Sequence, residues 1–332
     1  MTADLERRSR LLSIKLRALV RDHLSLEEDP PGTPHVFAPG AAHVTDSAAW
    51  FLVDGDATRS LGAVLSWCLA NGTMLPVHIL TESNGPVVAR RARLLDLDVT
   101  VWQVEGRAIV PVEPAAHLPL VDPSPSHLAF APLIESAGAD VVIEHGVVVG
   151  EVRGLEMCRV VDDPSTDGPR LEVGMGAHDR EAFAMVHGHL PAADALRQVI
   201  DAVAPHRTPG ARAHPFNQFG AERLLRWAAI QEPSTVGCVS LAAAEPPVVR
   251  TNLKDAVPCV AAGLDADGST VAVTFVSGVD LDAVPSAVDA ADRLGASRAV
   301  LAMRAKDVVR PVRLLAGLTR VPLAVVELPP AG

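Results

Sequence analysis

Ala49-Trp50-Phe51-Leu52-Val53, closed by Asp54-Gly55-Asp56, is the stretch whose reading decides the fold. An uninterrupted apolar run of five, rich in β-formers and ended by a Gly-containing acidic turn, reads as a strand buried on both faces. The chain beyond it keeps one rhythm. Leu61 to Leu69 reads as a helix stopped at Asn71-Gly72, Pro76 to Leu80 as a strand, Val87 to Leu95 as a helix with Arg90, Arg91 and Arg93, and Val99 to Trp102 as a strand.

The same order recurs near the other end. Val271 to Val276 is a strand and Asp280-Leu281-Asp282 the matching acidic turn. Ala283 to Leu294, Ala299 to Met303, Val308 to Leu318 and Leu323 to Val326 then alternate helix and strand. Strands separated by single helices imply largely parallel pairing under those helices. Duplication and the ordinary rhythm of an α/β chain both account for the repeat. The expected architecture is α/β, with two three-layer units of mixed or mostly parallel sheet flanking a central α+β region. Its expected divisions are 1–113, led by an amphipathic helix with Leu5, Leu12, Leu16 and Leu19 on one face, 128–235 and 246–330, with the Pro-rich stretch 113–127 as a linker.

Composition narrows the function classes. The chain has 332 residues, 48% of them hydrophobic, and a net charge of −11, which opposes a general nucleic-acid coat but leaves room for a local basic groove. Tyr is absent and Lys is confined to Lys15, Lys254 and Lys306, a usage expected of a GC-rich bacterial gene. Cys68, Cys158, Cys238 and Cys259 lie far apart and read as reduced, buried thiols. Arg7, Arg8, Arg10, Lys15, Arg17 and Arg21 break up the first 24 residues, and no apolar run is long enough to span a bilayer, so a cytoplasmic protein is expected.

The densest ionisable group lies in a central hairpin: Asp140, Glu144, Glu151, Arg153, Glu156 and Arg159. With one continuous strand from Val147 to Val161, Glu151, Arg153 and Arg159 share a face. Asp140, Glu151 and Glu172 could then hold Mg²⁺, with Arg153 stabilising negative charge on a phosphate. A salt-bridged hairpin without chemistry explains the same residues.

On Asp140 and Glu151-Val152-Arg153 the sequence resembles the restriction-endonuclease-like, PD-(D/E)XK, nuclease family. The resemblance implies an α/β nuclease core, with Asp140, Glu151 and Arg153 as catalytic residues and Mg²⁺ as cofactor. Arg153 stands where that family carries Lys, and a guanidinium cannot deprotonate. The last unit resembles the same fold through Asp255, the turn Asp265-Ala266-Asp267-Gly268 and the strand Val271 to Val276. Thr274 and Val276 occupy its carboxylate and Lys positions, so that copy is expected to be catalytically empty.

Other clusters offer other chemistry. The Asp54-x-Asp56 and Asp280-x-Asp282 turns could bind Mg²⁺ and phosphate at strand ends, or simply cap helices. His178, His187 and His189 could supply a base or metal ligands, or pack a loop. The segment from Pro205 to Asn217, with Arg207, Arg212 and His214, and then Arg223 and Arg226 on one helical face, forms the best local footprint for nucleic acid or phosphate. Two functions compete: a nucleic-acid-associated protein with nuclease-like domains, active or inactive, and a non-enzymatic ligand-binding or scaffold protein. A His-based hydrolase is a remote third.

Overall fold

The computed structural model describes residues 3–166, 168–187, 190–208, 214–250 and 257–329. It is mixed α/β, as expected, and divides into two compact units. The first joins residues 1–117 with 281–292 and 309–323, and the second joins 118–280 with 293–308 and 324–332.

In the first unit, helix α1 (Ala3–His23) precedes strands β1 (Thr33–Phe37), β2 (Gly40–Val44) and β3 (Ala49–Val53). Helix α2 (Leu61–Ala70), strand β4 (Val77–Thr81), helix α3 (Gly85–Ala92) and strands β5 (Val99–Glu105) and β6 (Ala108–Pro111) come after them. The strands form one sheet in sequence order, parallel at β3–β4 and β4–β5 and antiparallel elsewhere.

Alternation along β3 builds the layers. Trp50 and Leu52 pack with Leu16, Leu19 and Val20 of α1, while Phe51 meets Trp67 of α2 edge to face across the sheet. Helix α2 is apolar nearly all round because it is buried nearly all round: Leu61, Val64, Leu65 and Cys68 are all inaccessible.

In the second unit, two short helices, α4 (Pro125–Leu128) and α5 (Ala131–Ser136), lead into β7 (Asp140–Glu144), β8 (Val147–Val152), β9 (Leu155–Asp163) and β10 (Gly168–Val173). These strands form an antiparallel sheet in the order β10-β9-β8-β7. Helices α6 (Ala177–His187), α7 (Ala192–Val203) and α8 (Ala221–Gln231) come next. A second sheet holds β11 (Ser240–Ala244), β12 (Cys259–Leu264), β13 (Thr270–Val276), β14 (Arg298–Arg304) and β15 (Leu323–Leu328), again in sequence order. Leu225 and Ala229 of α8 pack on Cys259, Ala261, Val271, Val273 and Phe275 of that sheet.

The repeat is longer than its sequence signature. Each copy is a helix, two antiparallel strands, and then the strand–helix–strand–helix–strand run, parallel at its first strand pair. Strand β11, too rich in Ala to announce itself, completes the second copy.

The division at 246–330 needs correction. Helices α9 (Ala283–Leu294) and α10 (Arg310–Ala316), which connect β13 to β14 and β14 to β15, lie largely in the first unit, where α10 packs on α2. Asp282 Oδ1 accepts from Gly62 N at 3.0 Å, and Asp289 binds Arg90 and Arg91. Gly62 permits that approach, because a Cβ there would lie 1.9 Å from the Leu281 carbonyl oxygen. The turns after α3 and α10 also join: Asp96 N donates to Leu318 O at 2.7 Å, and Arg320 Nε to Leu95 O at 3.0 Å. Among the described residues, no helix is long and apolar enough to cross a membrane.

Candidate functional site

The central sheet turns twice through two-residue loops. His145 and Gly146 have φ of 52° and 75°, and Arg153 and Gly154 have 47° and 78°. Positive φ at both loop positions is the signature of the type I′ hairpin, whose twist matches that of the strands. The second turn corrects the continuous strand expected from Val147 to Val161. Arg153 is a loop residue, so it does not share a strand face with Glu151. Gly154 is needed there for space as well, since a Cβ would lie 2.3 Å from the Arg223 backbone carbon.

The first part of the expected constellation is present. Asp140 and Glu151 are direct cross-strand partners. Asp140 is exposed, accepts from Trp227, and has its pKa raised by local burial of its carboxyl and by Glu151. Glu151 is buried, and both of its oxygens are occupied: one by Arg223 and the other by Arg226 Nη2 at 3.3 Å. Glu144 binds the same two arginines, with Arg226 Nη1 at 2.6 Å. Burial works against the Glu144 carboxylate, but the two guanidiniums hold its pKa below the usual range. Burial likewise works against both arginines, yet their anionic neighbours raise them above the usual value. The four residues form a closed, neutral ring.

Glu172 does not join this group. It lies on β10, at the opposite edge of the sheet from β7 and two strands from β8, about 10 Å away on spacing alone. Its oxygens accept from Arg170 at 2.6 Å and Arg180 at 3.1 Å. Among the described residues, no group of three His, Cys, Asp or Glu side chains is placed to hold a metal ion. Asp140, Glu151 and Glu172 therefore do not fit Mg²⁺, which needs oxygens converging on one point.

The basic footprint is also corrected. Arg207 is buried and donates to main-chain carbonyls: Arg153 O at 2.7 and 3.1 Å, Phe216 O at 2.9 Å and Phe219 O at 3.1 Å. Burial lowers its pKa to about 10. It ties the Arg153 turn to a later loop and offers nothing to a phosphate. Arg223 and Arg226 share a helical face, as expected, but that face is buried in the ring. His214 stacks on His206 with centroids 3.9 Å apart, and its Nδ1 accepts from Phe216 N. Arg153 donates to Thr208 Oγ1 at 2.7 Å and lies 5.4 Å from the Trp227 ring centre. Arg212, Asp255 and His189 lie outside the described residues, as do the side chains of His178 and His187.

The acidic turns act as caps. Asp56 accepts from Thr58 N at 3.0 Å. Asp282 caps α2 of the other copy, through Gly62 N.

Sequence reasoning missed a cleft of about 600 Å³ formed by β10, α6 and α7. Leu171, Val173, Phe183, Met185, Leu190 and Ala195 supply apolar wall, and Arg170, Glu172 and Arg180 stand at its polar side. Glu172 is bonded to both arginines, and Arg180 also reaches Glu156 at 3.2 Å. The wall is assembled from three separate elements, which is why periodicity within any one of them did not reveal it. No family model, curated protein or solved structure matches the chain.

Proposed function

We propose that this chain is a non-enzymatic binding protein that takes a small, largely apolar molecule into the cleft between β10, α6 and α7. The cleft carries the reading: its size suits a drug-sized ligand, and its walls are mainly apolar. The charged residues of its lining, Arg170 and Arg180 against Glu172 and Glu181, sum to zero, which favours a ligand with little net charge. Against catalysis stands the use of Glu151, Arg223 and Arg226 in buried ion pairs. The test is titration with an uncharged environment-sensitive naphthalene dye. Saturable binding is expected, and Ala192→Trp, which fills the cleft from its wall, should abolish it without lowering the melting temperature. Dye binding that is non-saturable, or unchanged in the variant, overturns the proposal.

A nucleic-acid association is the second reading. Its support is the order of the last unit, a hairpin turn and strand followed by helix, strand, helix and strand, on which the nuclease-like resemblance rests. A mobility-shift titration with single- and double-stranded DNA tests it, and absence of a shift at low salt removes it.

A further inference from the structure

Beside the Glu144–Glu151–Arg223–Arg226 ring in the second unit lies a small cavity of about 60 Å³, lined by Arg159, Arg223, Arg250, His145, Glu144 and Glu156 among others. It shares no lining residue with the larger cleft.

Arg250 is the unusual member. Its side chain is only 8% exposed, yet its nearest carboxylate oxygens are Glu156 Oε2 at 3.7 Å and Glu222 Oε1 at 3.9 Å, both too far for a hydrogen bond. Its Nη1 and the Nε of Arg223 are buried without a hydrogen-bond partner among the described residues.

The nearby carboxylates are already committed. Glu144 serves Arg223 and Arg226, and Glu156 takes Arg159 through both oxygens at 3.0 Å and Arg180 at 3.2 Å. Glu222 is buried as well, and that burial raises its pKa. A buried guanidinium is tolerated when it is closely paired and hydrogen-bonded, but both ion pairs of Arg250 are long and its Nη1 has no hydrogen bond among the described residues. Water would supply hydrogen bonds but no charge. The room exceeds that of a single water, which needs about 10–15 Å³.

We infer that this cavity is a binding site for a tetrahedral inorganic oxyanion of phosphate size, with Arg250 and Arg223 as its donors. The oxyanion would accept from the two unpartnered guanidinium N–H groups and bridge residues 245–250 to helix α8.

The experiment is thermal unfolding of the full chain against inorganic phosphate at constant ionic strength, with calorimetric titration in parallel. A saturable rise in melting temperature is expected for the wild type. Arg250→Gln should remove the saturable part. Val249→Trp, which crowds the cavity from an exposed position and leaves the arginines in place, should remove it too. A rise that does not saturate, one equal in all three proteins, or one reproduced by chloride alone overturns the inference. A phosphate-free melting temperature of Val249→Trp equal to that of the wild type separates loss of binding from failed folding. Dye binding in the larger cleft should be unaffected by both variants, which keeps the two sites distinguishable.

Discussion

Arg90 donates through Nε and Nη2 to both oxygens of Asp289, at 2.7 and 3.0 Å, across 199 residues of sequence. Arg91 adds a third bond to the same carboxylate at 3.0 Å, and Asp289 is completely buried. One carboxylate thus holds two neighbouring guanidiniums of α3. Removing it leaves two buried cations uncompensated. Asp289→Ala should therefore cost about 3–5 kcal/mol in denaturant unfolding of the whole chain. Arg93→Ala breaks only the exposed pair with Asp292 and should cost under about 1 kcal/mol.

Gly62→Ala tests the approach of α2 to the second acidic turn. The added methyl would need the space of the Leu281 carbonyl, so the turn must move and the Asp282 cap must weaken. A loss of about 1–3 kcal/mol is expected. Hydrogen exchange should speed up at residues 281–292, and an unchanged exchange pattern would contradict this packing.

Acid should destabilise the first unit before its carboxylates titrate. Burial lowers the pKa of His78, which stacks on Trp50 and accepts from Trp102 Nε1 at 3.0 Å, and likewise that of His43. The unfolded chain then binds protons at higher pH than the folded one. The contribution is complete above about 6.5, the ordinary value, and is lost as pH falls from there through the folded pKa. Denaturant unfolding at pH 7.5 and 5.5 measures the loss, and His78→Gln should reduce it.

Glu151→Gln separates structure from catalysis. Replacing the carboxylate leaves Arg223 and Arg226 with half of their counter-charge, for a cost of about 3 kcal/mol. In a Mg²⁺-dependent assay on plasmid and single-stranded DNA, wild type and variant should both be inactive. Cleavage by the wild type alone would restore the nuclease reading.

The thiols should be silent in the native state. All four cysteines are free and buried, and burial pushes Cys68, Cys158 and Cys259 up to about 12. An aromatic disulfide reagent at pH 8 should react with them only after denaturant is added, since the thiolate is the reactive form.

Local pattern was enough for much of the fold. The apolar run at Ala49–Val53, the helix stopped at Asn71 and the matching run near Val271 are local features, and each element formed where periodicity and turn residues placed it. Strand β11 and the Arg153-Gly154 turn were hidden because Ala is a weak strand former and a two-residue loop barely interrupts an alternating pattern. The charged residues were found but their meaning was not. Glu151 meets Arg223 72 residues away, Arg90 meets Asp289 199 away, and Gly62 meets Asp282 220 away. A carboxylate or guanidinium reads alike in sequence whether it faces a ligand or a buried counter-charge. The sequence determined the kinds and order of elements because those depend on neighbours a few residues apart. Tertiary structure alone decided which charges are structural, where cavities open and how far Arg250 stands from a counter-charge, because burial and pairing depend on elements brought together only by folding.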